Sequence, residues 1–570
     1  MSDLAPEFLR RLRFTPARDL VRGRISGRLD LMATIARSGL PTEAQDLIRR
    51  VVKRTRLWML EKVAVADELI AHFTDGLENG SSIQTLLEKF GNERQAAKLI
   101  RRAKKRNRPL PWHVMRGLGW IIAAMLAIYG IMAARFILGR PSPKIDYVAA
   151  MNRLNVGLAD NEKGWLIYRQ AILGIGPRAN SKEAEDRLTE VFDARPGSEH
   201  WPKVGPWLAE HARVLELTRE ATAKPRLGFI YGRNGSIRDE QLWPAKGTEH
   251  WYAPSPTAGA VVSVLLPHLN DLSQLSHALE QDARFARERG EAARVMSDIM
   301  AMQNLARQLH ADASFVVTDL VAIGILNRAL DVTEEAVGDE KLKLSDEDLQ
   351  KLAHQISRPK LASDLITFEG DRIMVHDLIQ RCYTDDGNGD GHLTLEGYRF
   401  MKTIGPVIAR PGGSRASDFW HETFIATATP AMSESRRDAR KHYDGVMNLA
   451  DANVHRPMRQ ANWKVYEQQA PETPDVIRQL RQALGVVFGT HLASAQRSAE
   501  RTLGHRDGLV IGIALELYRR EHGQYPTGLD ELVPKYLPTT PADRITGEQV
   551  KYRIIDGKPC VYSVGMDRKD

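Results

Sequence analysis

Eighteen consecutive residues without a charge, GLGWIIAAMLAIYGIMAA from Gly117 to Ala134, constrain this chain more than any other feature. Carried on through Leu138 as a helix, the run is about 33 Å long at ~1.5 Å per residue, close to the ~30 Å of a bilayer's hydrocarbon core. Inside lipid a backbone has no water to pair with, so such a run must be helical. Its flanks agree. Trp112 and Trp120 suit one interface, and Arg135 sits near the other end, where its stem lies along lipid while the guanidinium reaches headgroups. A buried core helix is the competing reading; length and flanks together favour a transmembrane helix over residues 117–138.

Charge sets the orientation. Arg101, Arg102, Lys104, Lys105, Arg106, Arg108 and Arg116 precede the run, and Arg135, Arg140 and Lys144 follow it. Basic residues stay on the cytosolic side, so a cytosolic N-terminus and a periplasmic C-terminal part are expected, on a bacterial inner membrane. Residues 1–116 carry 24 Lys and Arg against 13 Asp and Glu, a net of +11; with +8 for the whole chain, the remainder is close to neutral at −3. The first 30 residues hold seven arginines and no apolar run, so no cleavable signal peptide is expected there. By charge alone RRAKKRNR (Arg101–Arg108) suits nucleic acid. Beside a membrane helix it reads as an orientation determinant that also holds anionic lipid, so the bilayer and not nucleic acid is the expected partner.

Across 570 residues, 43% hydrophobic and 27% charged side chains exclude general disorder. Cys382 and Cys560 are the sole cysteines, which excludes a disulfide framework. Two unpaired thiols are the simpler reading, with one long-range bridge as the alternative.

Residues 1–110 are expected to form a basic, cytosolic helical head. Leu69, Ile70, Phe73 and Leu77 recur at helical spacing, and Gly80 stops that helix. Ser81 or Ser82 caps the next, with Ile83, Leu86, Leu87 and Phe90; Gly91 ends it, and Asn92 opens a third. The stretch ELIAHFTDGLENGSSIQTLLEKFGNERQAAKLI (Glu68–Ile100) resembles the HAAS family of small helical modules found beside membrane spans. The resemblance implies an interaction or signalling element and no catalyst.

Residues 145–365 read as a helical extracytosolic domain. Val262, Leu265, Leu266, Leu269, Leu272 and Leu275 lie near helical period, with Pro267 as a point of kink or restart. Ala278–His310 reads as helix, turn at Gly290, helix. No second copy at a fixed period supports a repeat array. Trp243–Pro256 reads as a surface-wrapping loop. His268, His277 and His310 lack HExxH spacing and read as core or surface histidines.

Residues 366–410 hold the most chemically specific stretch, DDGNGDGHLTLEGYRF (Asp385–Phe400). Calcium, a hard cation, takes about six to eight oxygens from a tightly curled loop. Asp386, Asn388 and Asp390 alternate toward one centre, Gly391 permits the turn, His392 offers a backbone carbonyl, and Thr394 ligates directly or through water. The stretch resembles an EF-hand between two helices, which implies Ca²⁺ as the bound ion. It departs from that family at the twelfth loop position, where Gly397 replaces a bidentate Glu. Glu396 stands one residue early: either it swings in to complete the ligand set Asp386, Asn388, Asp390, His392, Thr394 and Glu396, or water fills the gap and weakens binding.

Residues 411–506 return to helix, with Arg436, Arg437, Arg440 and Lys441 expected on a solvated face. His421 and Glu422 lack a second histidine at metallopeptidase spacing. Residues 507–570 read as a helix into HGQYP, a short helix LDELVPKYL, a Pro-rich loop and two strands, Gln549–Ile554 and Lys558–Val564. ALELYRREHGQYPTGLDEL, LP..PADRITG and YSVGMD resemble the globular end of type II secretion major pseudopilins. That resemblance implies a calcium ion in the C-terminal loop, with Ser563, Asp567 and Asp570 as its candidates. It also implies envelope or secretion proteins as partners, although here the apolar helix stands far from this module.

The sequence therefore predicts a mainly α protein with a single transmembrane helix, a large helical extracytosolic domain and a small α+β C-terminal module. No GxSxG, P-loop, CxxC or HExxH pattern points to an enzyme. The expected function is structural calcium binding at 385–400, and the alternative is a secretion-associated scaffold.

Overall fold

A computed structural model describes residues 4–21, 23–108, 110–175, 182–231, 242, 260–264, 266–312, 315–357, 365–408, 427–454, 456–461 and 489–564. The loop Trp243–Pro256, His421, Glu422, Asp567, Asp570 and much of 411–506 lie outside the described residues. The chain is mainly helical and divides into two compact units, Met1–Ile128 and Tyr129–Asp570.

In the first unit, helix Thr42–Thr55 buries Ala44, Leu47, Ile48, Val51, Val52 and Thr55 along one face. That i, i+3, i+4, i+7 stripe packs on Val65, Ala66, Leu69 and Phe73 of helix Met59–Glu78. The opposite face carries Arg50 and Arg54, both ion-paired with Glu93 at 2.9 and 2.6 Å, which ties this helix to Glu93–Arg106. Caps fall where polar side chains can accept the first free amides. Ser82 accepts from Thr85 N, and Asn92 from Arg94 N and Gln95 N. Arg108 forks onto Glu61 with two 2.7 Å bonds and lies over the Trp112 ring at 4.1 Å.

Helix Leu110–Leu138 contains Val114–Leu138, 25 residues long and apolar enough to cross a membrane. Of that stretch's apolar window 6% is buried in the protein, whereas the core helix of a soluble domain would be mostly covered.

The second unit is built on helices Pro267–Glu288, Ala292–Ala311 and Val316–Val337, which pack pairwise around Leu272, Leu279, Ile299, Leu305, Ile325 and Leu330. Pro267 starts its helix instead of kinking it, because a ring without an N–H costs nothing at the first helical position. Gly290, at φ +71°, makes the tight turn between the first two helices. Two asparagines fix the segment that follows helix Ala212–Thr222. Asn152 both donates to Tyr231 O (2.8 Å) and accepts from Tyr231 N (2.7 Å), and Asn155 donates to Phe229 O. His268 is fully buried against the Phe229 ring, 3.7 Å between centroids, and burial pushes its pKa down to about 3. It is a neutral core histidine.

At the C-terminal end, helix Gly489–His522 packs on Val316–Val337 and Asp346–Ile356. LDELVPKYL forms one 3₁₀ turn, Leu529–Leu532, where the sequence suggests a short α-helix. Pro534 supplies no amide to continue it. Strands Lys551–Ile555 and Lys558–Tyr562 pair antiparallel through Asp556-Gly557, both at positive φ. Cys382 and Cys560 are unpaired thiols.

Candidate functional site

Helix Glu369–Cys382 buries Val375, Leu378, Ile379 and Cys382, and so delivers the chain to the acidic loop from a fixed direction. A bridge between Tyr383 and Leu393 closes the loop's neck, helped by Thr384 N donating to His392 O (3.0 Å) and His392 N to Thr384 Oγ1 (3.1 Å). Within the curl, Asp386 Oδ1 accepts from Asn388 N (2.8 Å) and Asp390 N (3.0 Å), and Asp386 N donates to Asp390 O (2.9 Å). Gly387 and Gly389 take φ +88° and +82°, a region that costs other residues energy. Gly391 is required for a different reason. A Cβ there would lie 2.0 Å from Thr384 O.

The six sequence candidates part company here. Asp386, Asn388 and Asp390 share the curl, with Asn388 at its exposed tip. His392 already uses its backbone carbonyl for Thr384 N, and its ring bonds Arg135 O (2.9 Å) at the end of the apolar helix. Thr394 is buried, with its hydroxyl donating to Cys382 O (3.0 Å) and accepting from Gly397 N (2.9 Å). That is the geometry of a helix cap for Leu395–Ile408. Glu396 is turned out to Arg140 at 3.4 Å. At Gly397 there is no room for a side chain. Any Cβ at this position would sit 2.3 Å from both Cys382 Cα and Cys382 O. The first turn of the exiting helix presses directly on the last turn of the entering one, and no side chain fits where the EF-hand pattern places its bidentate Glu.

Cations that the motif does not contain complete the loop. Asp385 pairs with Lys144 Nζ (2.7 Å) and with Arg436 (3.3 Å). The Lys144 bond, followed by the Gly387 amide, holds the Asp385 carboxyl down at about 2. Asp390 Oδ1 accepts from Gly391 N and from Arg437 N (3.2 Å), at the start of helix Arg436–Val454. Hydrogen bonding by Gly391 N leads the causes that lower its pKa, and a carboxylate at a helix N-terminus is favoured in any case. Arg436 thus leaves the solvated face expected for it: its side chain is 15% exposed and also reaches Thr384 O (3.2 Å). No local pattern signals this, since Arg436 lies 51 residues beyond Asp385.

For calcium the donors that fit are the Asp386 and Asp390 carboxylates, the Asn388 amide and the His392 carbonyl, with water for the rest. Thr394 and Glu396 do not fit that set as they stand. Among the described residues no group of three or more His, Cys, Asp or Glu is placed to hold a metal ion. At the C-terminal module, Ser563 Oγ bonds both Asp543 oxygens at 2.9 Å. Compared with protein families, with characterised proteins and with solved structures, the chain matches none.

Proposed function

We propose that this is a single-pass membrane protein with a cytosolic N-terminal unit, and that its extracytosolic unit binds calcium structurally at Asp386, Asn388, Asp390 and the His392 carbonyl. The observation that carries the reading is the curl itself. Asp386 Oδ1 accepts from the backbone N–H groups of Asn388 and Asp390, so the loop that carries these three residues is already tightly curled before any ion arrives. Without Glu396 the ligand set is short of a bidentate carboxylate, so affinity falls in the weak range, a Kd of about 10⁻⁴–10⁻³ M. The ion would fasten the neck that meets the apolar helix through His392 and Arg135.

Calorimetric calcium titration of the full chain in detergent tests this, beside the double variant Asp386→Ala/Asp390→Ala. Saturable heat lost in the variant supports the reading. Wild type silent up to millimolar calcium sinks it and leaves a turn closed by Lys144, Arg436 and Arg437. The alternative, an envelope scaffold for secretion, draws on the order of elements in the last module: long helix, 3₁₀ turn, hairpin. Copurification of secretion components with the full chain, lost on deleting 507–570, would favour it.

A further inference from the structure

Where the apolar helix ends, its last turn presents two unlike sides. Phe136 is buried, its ring 6.2 Å from Tyr398, and packs the helix end against that residue. Ile137 and Leu138 are exposed at 57% and 76%. Beside Ile137 opens a groove of about 830 Å³, lined by Arg140, Arg381 and Arg399 with Glu396, Leu395 and Phe400. Its volume lies within the range of small-molecule sites. With Arg381 paired to Asp377, Arg140 and Arg399 stand against Glu396 and leave the groove a positive balance, and its apolar wall continues onto the exposed flank of the helix.

Each arginine is held differently. Arg381 is fixed on the fully buried Asp377 through Nε (2.9 Å), which aims the group without burying its whole fork. Arg140 meets Glu396 at 3.4 Å with side chains 83% and 60% exposed. An exposed pair of this kind contributes little, so an anion can exchange with the carboxylate. Arg399 stands one helical turn beyond Glu396, on the same face. A guanidinium fork matches phosphate oxygens in pairs.

We propose that this groove binds the phosphodiester headgroup of an anionic phospholipid, with the acyl chains along Ile137 and Leu138. The inference rests on Val114–Leu138 crossing a membrane and is independent of calcium. Phosphate chemistry alone would also admit a free phosphate. The continuous apolar flank is what selects a lipid.

The test uses purified full-length protein in non-ionic detergent, incubated with dioleoylphosphatidylglycerol or dioleoylphosphatidylcholine and read by native mass spectrometry. Wild type should retain the glycerol lipid over the choline lipid. Arg140→Gln/Arg399→Gln should lose about fivefold per arginine, the ~1 kcal/mol of a basic residue at a lipid surface. Arg140→Lys/Arg399→Lys should keep most of the retention. Lipid held by Arg101–Arg108 is common to all three proteins and cancels in the comparison. Unchanged thermal midpoints establish that the variants fold. Equal retention of both lipids, full retention by the Gln variant, or displacement of the glycerol lipid by millimolar inorganic phosphate would each overturn the proposal. Release of the wild-type chain from cell membranes by alkaline carbonate is a separate result, and it would instead refute the membrane reading.

Discussion

Two groups of carboxylates among the described residues of Tyr129–Asp570 are treated in opposite ways. In the helical core Asp282 and Asp298 are both fully buried. Arg219 bonds both, and Arg294 adds a second fork on Asp282. Burial drives the Asp298 carboxyl well above the usual range in spite of Arg219, and the nearby Asp282 adds to the rise. In the loop, Asp386 and Asp390 lie at the surface, bonded to backbone amides of their own turn. A buried pair cannot exchange partners without leaving a charge in a medium of low polarity. A surface loop can trade amides and lysines for an ion at small cost. The core network therefore holds helices together, while the loop is the place where chemistry can be exchanged.

Breaking the core side should produce the largest effect. Arg219→Met leaves Asp298 without its cation, and removing one partner of a buried pair costs about 3–5 kcal/mol. Adding Asp298→Asn to Arg219→Met should return part of the loss, because an amide in that position needs neither a cation nor a proton. Denaturant midpoints of the single and double variants check this. A single variant as stable as wild type would show that the network does not hold these helices.

Next in size comes Gly397. Restoring the family's residue with Gly397→Glu forces a Cβ into Cys382, and overpacking of this kind costs about 1–3 kcal/mol, sometimes more. Gly397→Ala should show the same sign, because the clash begins at Cβ. Tighter calcium binding by Gly397→Glu with no loss of stability would contradict the close approach of the two helices and return the loop to the ordinary EF-hand pattern.

These two cases also separate what was legible in the sequence from what was not. The apolar run, the Gly290 turn and the caps Ser82 and Asn92 were readable because each is decided within a few residues. So was the curl, where alternating Asp386, Asn388 and Asp390 sit among glycines. Arg219, Arg436 and Lys144 were not readable. Each finds its carboxylate 51 or more positions away in the sequence, and a charge in sequence looks the same whether it ends in water or on a buried partner. Glu396 is a related case. Its neighbour Gly397 looks like a lost ligand in sequence, and in space it is the contact that lets two helices touch.

A pH experiment probes the seam between loop and core. Burial, with Asp438 adding to it, pushes Glu434 up from 4.5 to about 7; burial first, and then Glu434, raises Tyr383 at the loop's neck. The folded state then holds a proton that the unfolded state has released, so stability is greatest below about pH 4.5 and falls as pH rises to about 7. Solvent reaches part of this carboxyl, so the change is on the order of 1 kcal/mol. Glu434→Gln should flatten the thermal midpoint across that window and leave the variant more stable at neutral pH. An unchanged slope in Glu434→Gln would place the titrating group elsewhere.

The smallest effect is the one that decides whether the loop exchanges an ion at all. Calcium that binds the folded state alone stabilises it by RT ln(1 + [Ca²⁺]/Kd), about 0.4 kcal/mol when calcium equals Kd and about 1.4 at ten times Kd. The thermal midpoint of wild type should therefore rise with millimolar calcium, and magnesium should do less, since it keeps its water and demands tighter geometry. Asp386→Ala should abolish the rise, because it removes a proposed ligand and the acceptor that gathers the curl. Asp298→Asn should keep it, because the core carboxylates have no part in ion exchange. An equal rise in Asp386→Ala would assign the calcium effect to another part of the chain. The loop would then be, like the core network, a closed set of internal partners, and the contrast between the two regions would reduce to depth of burial.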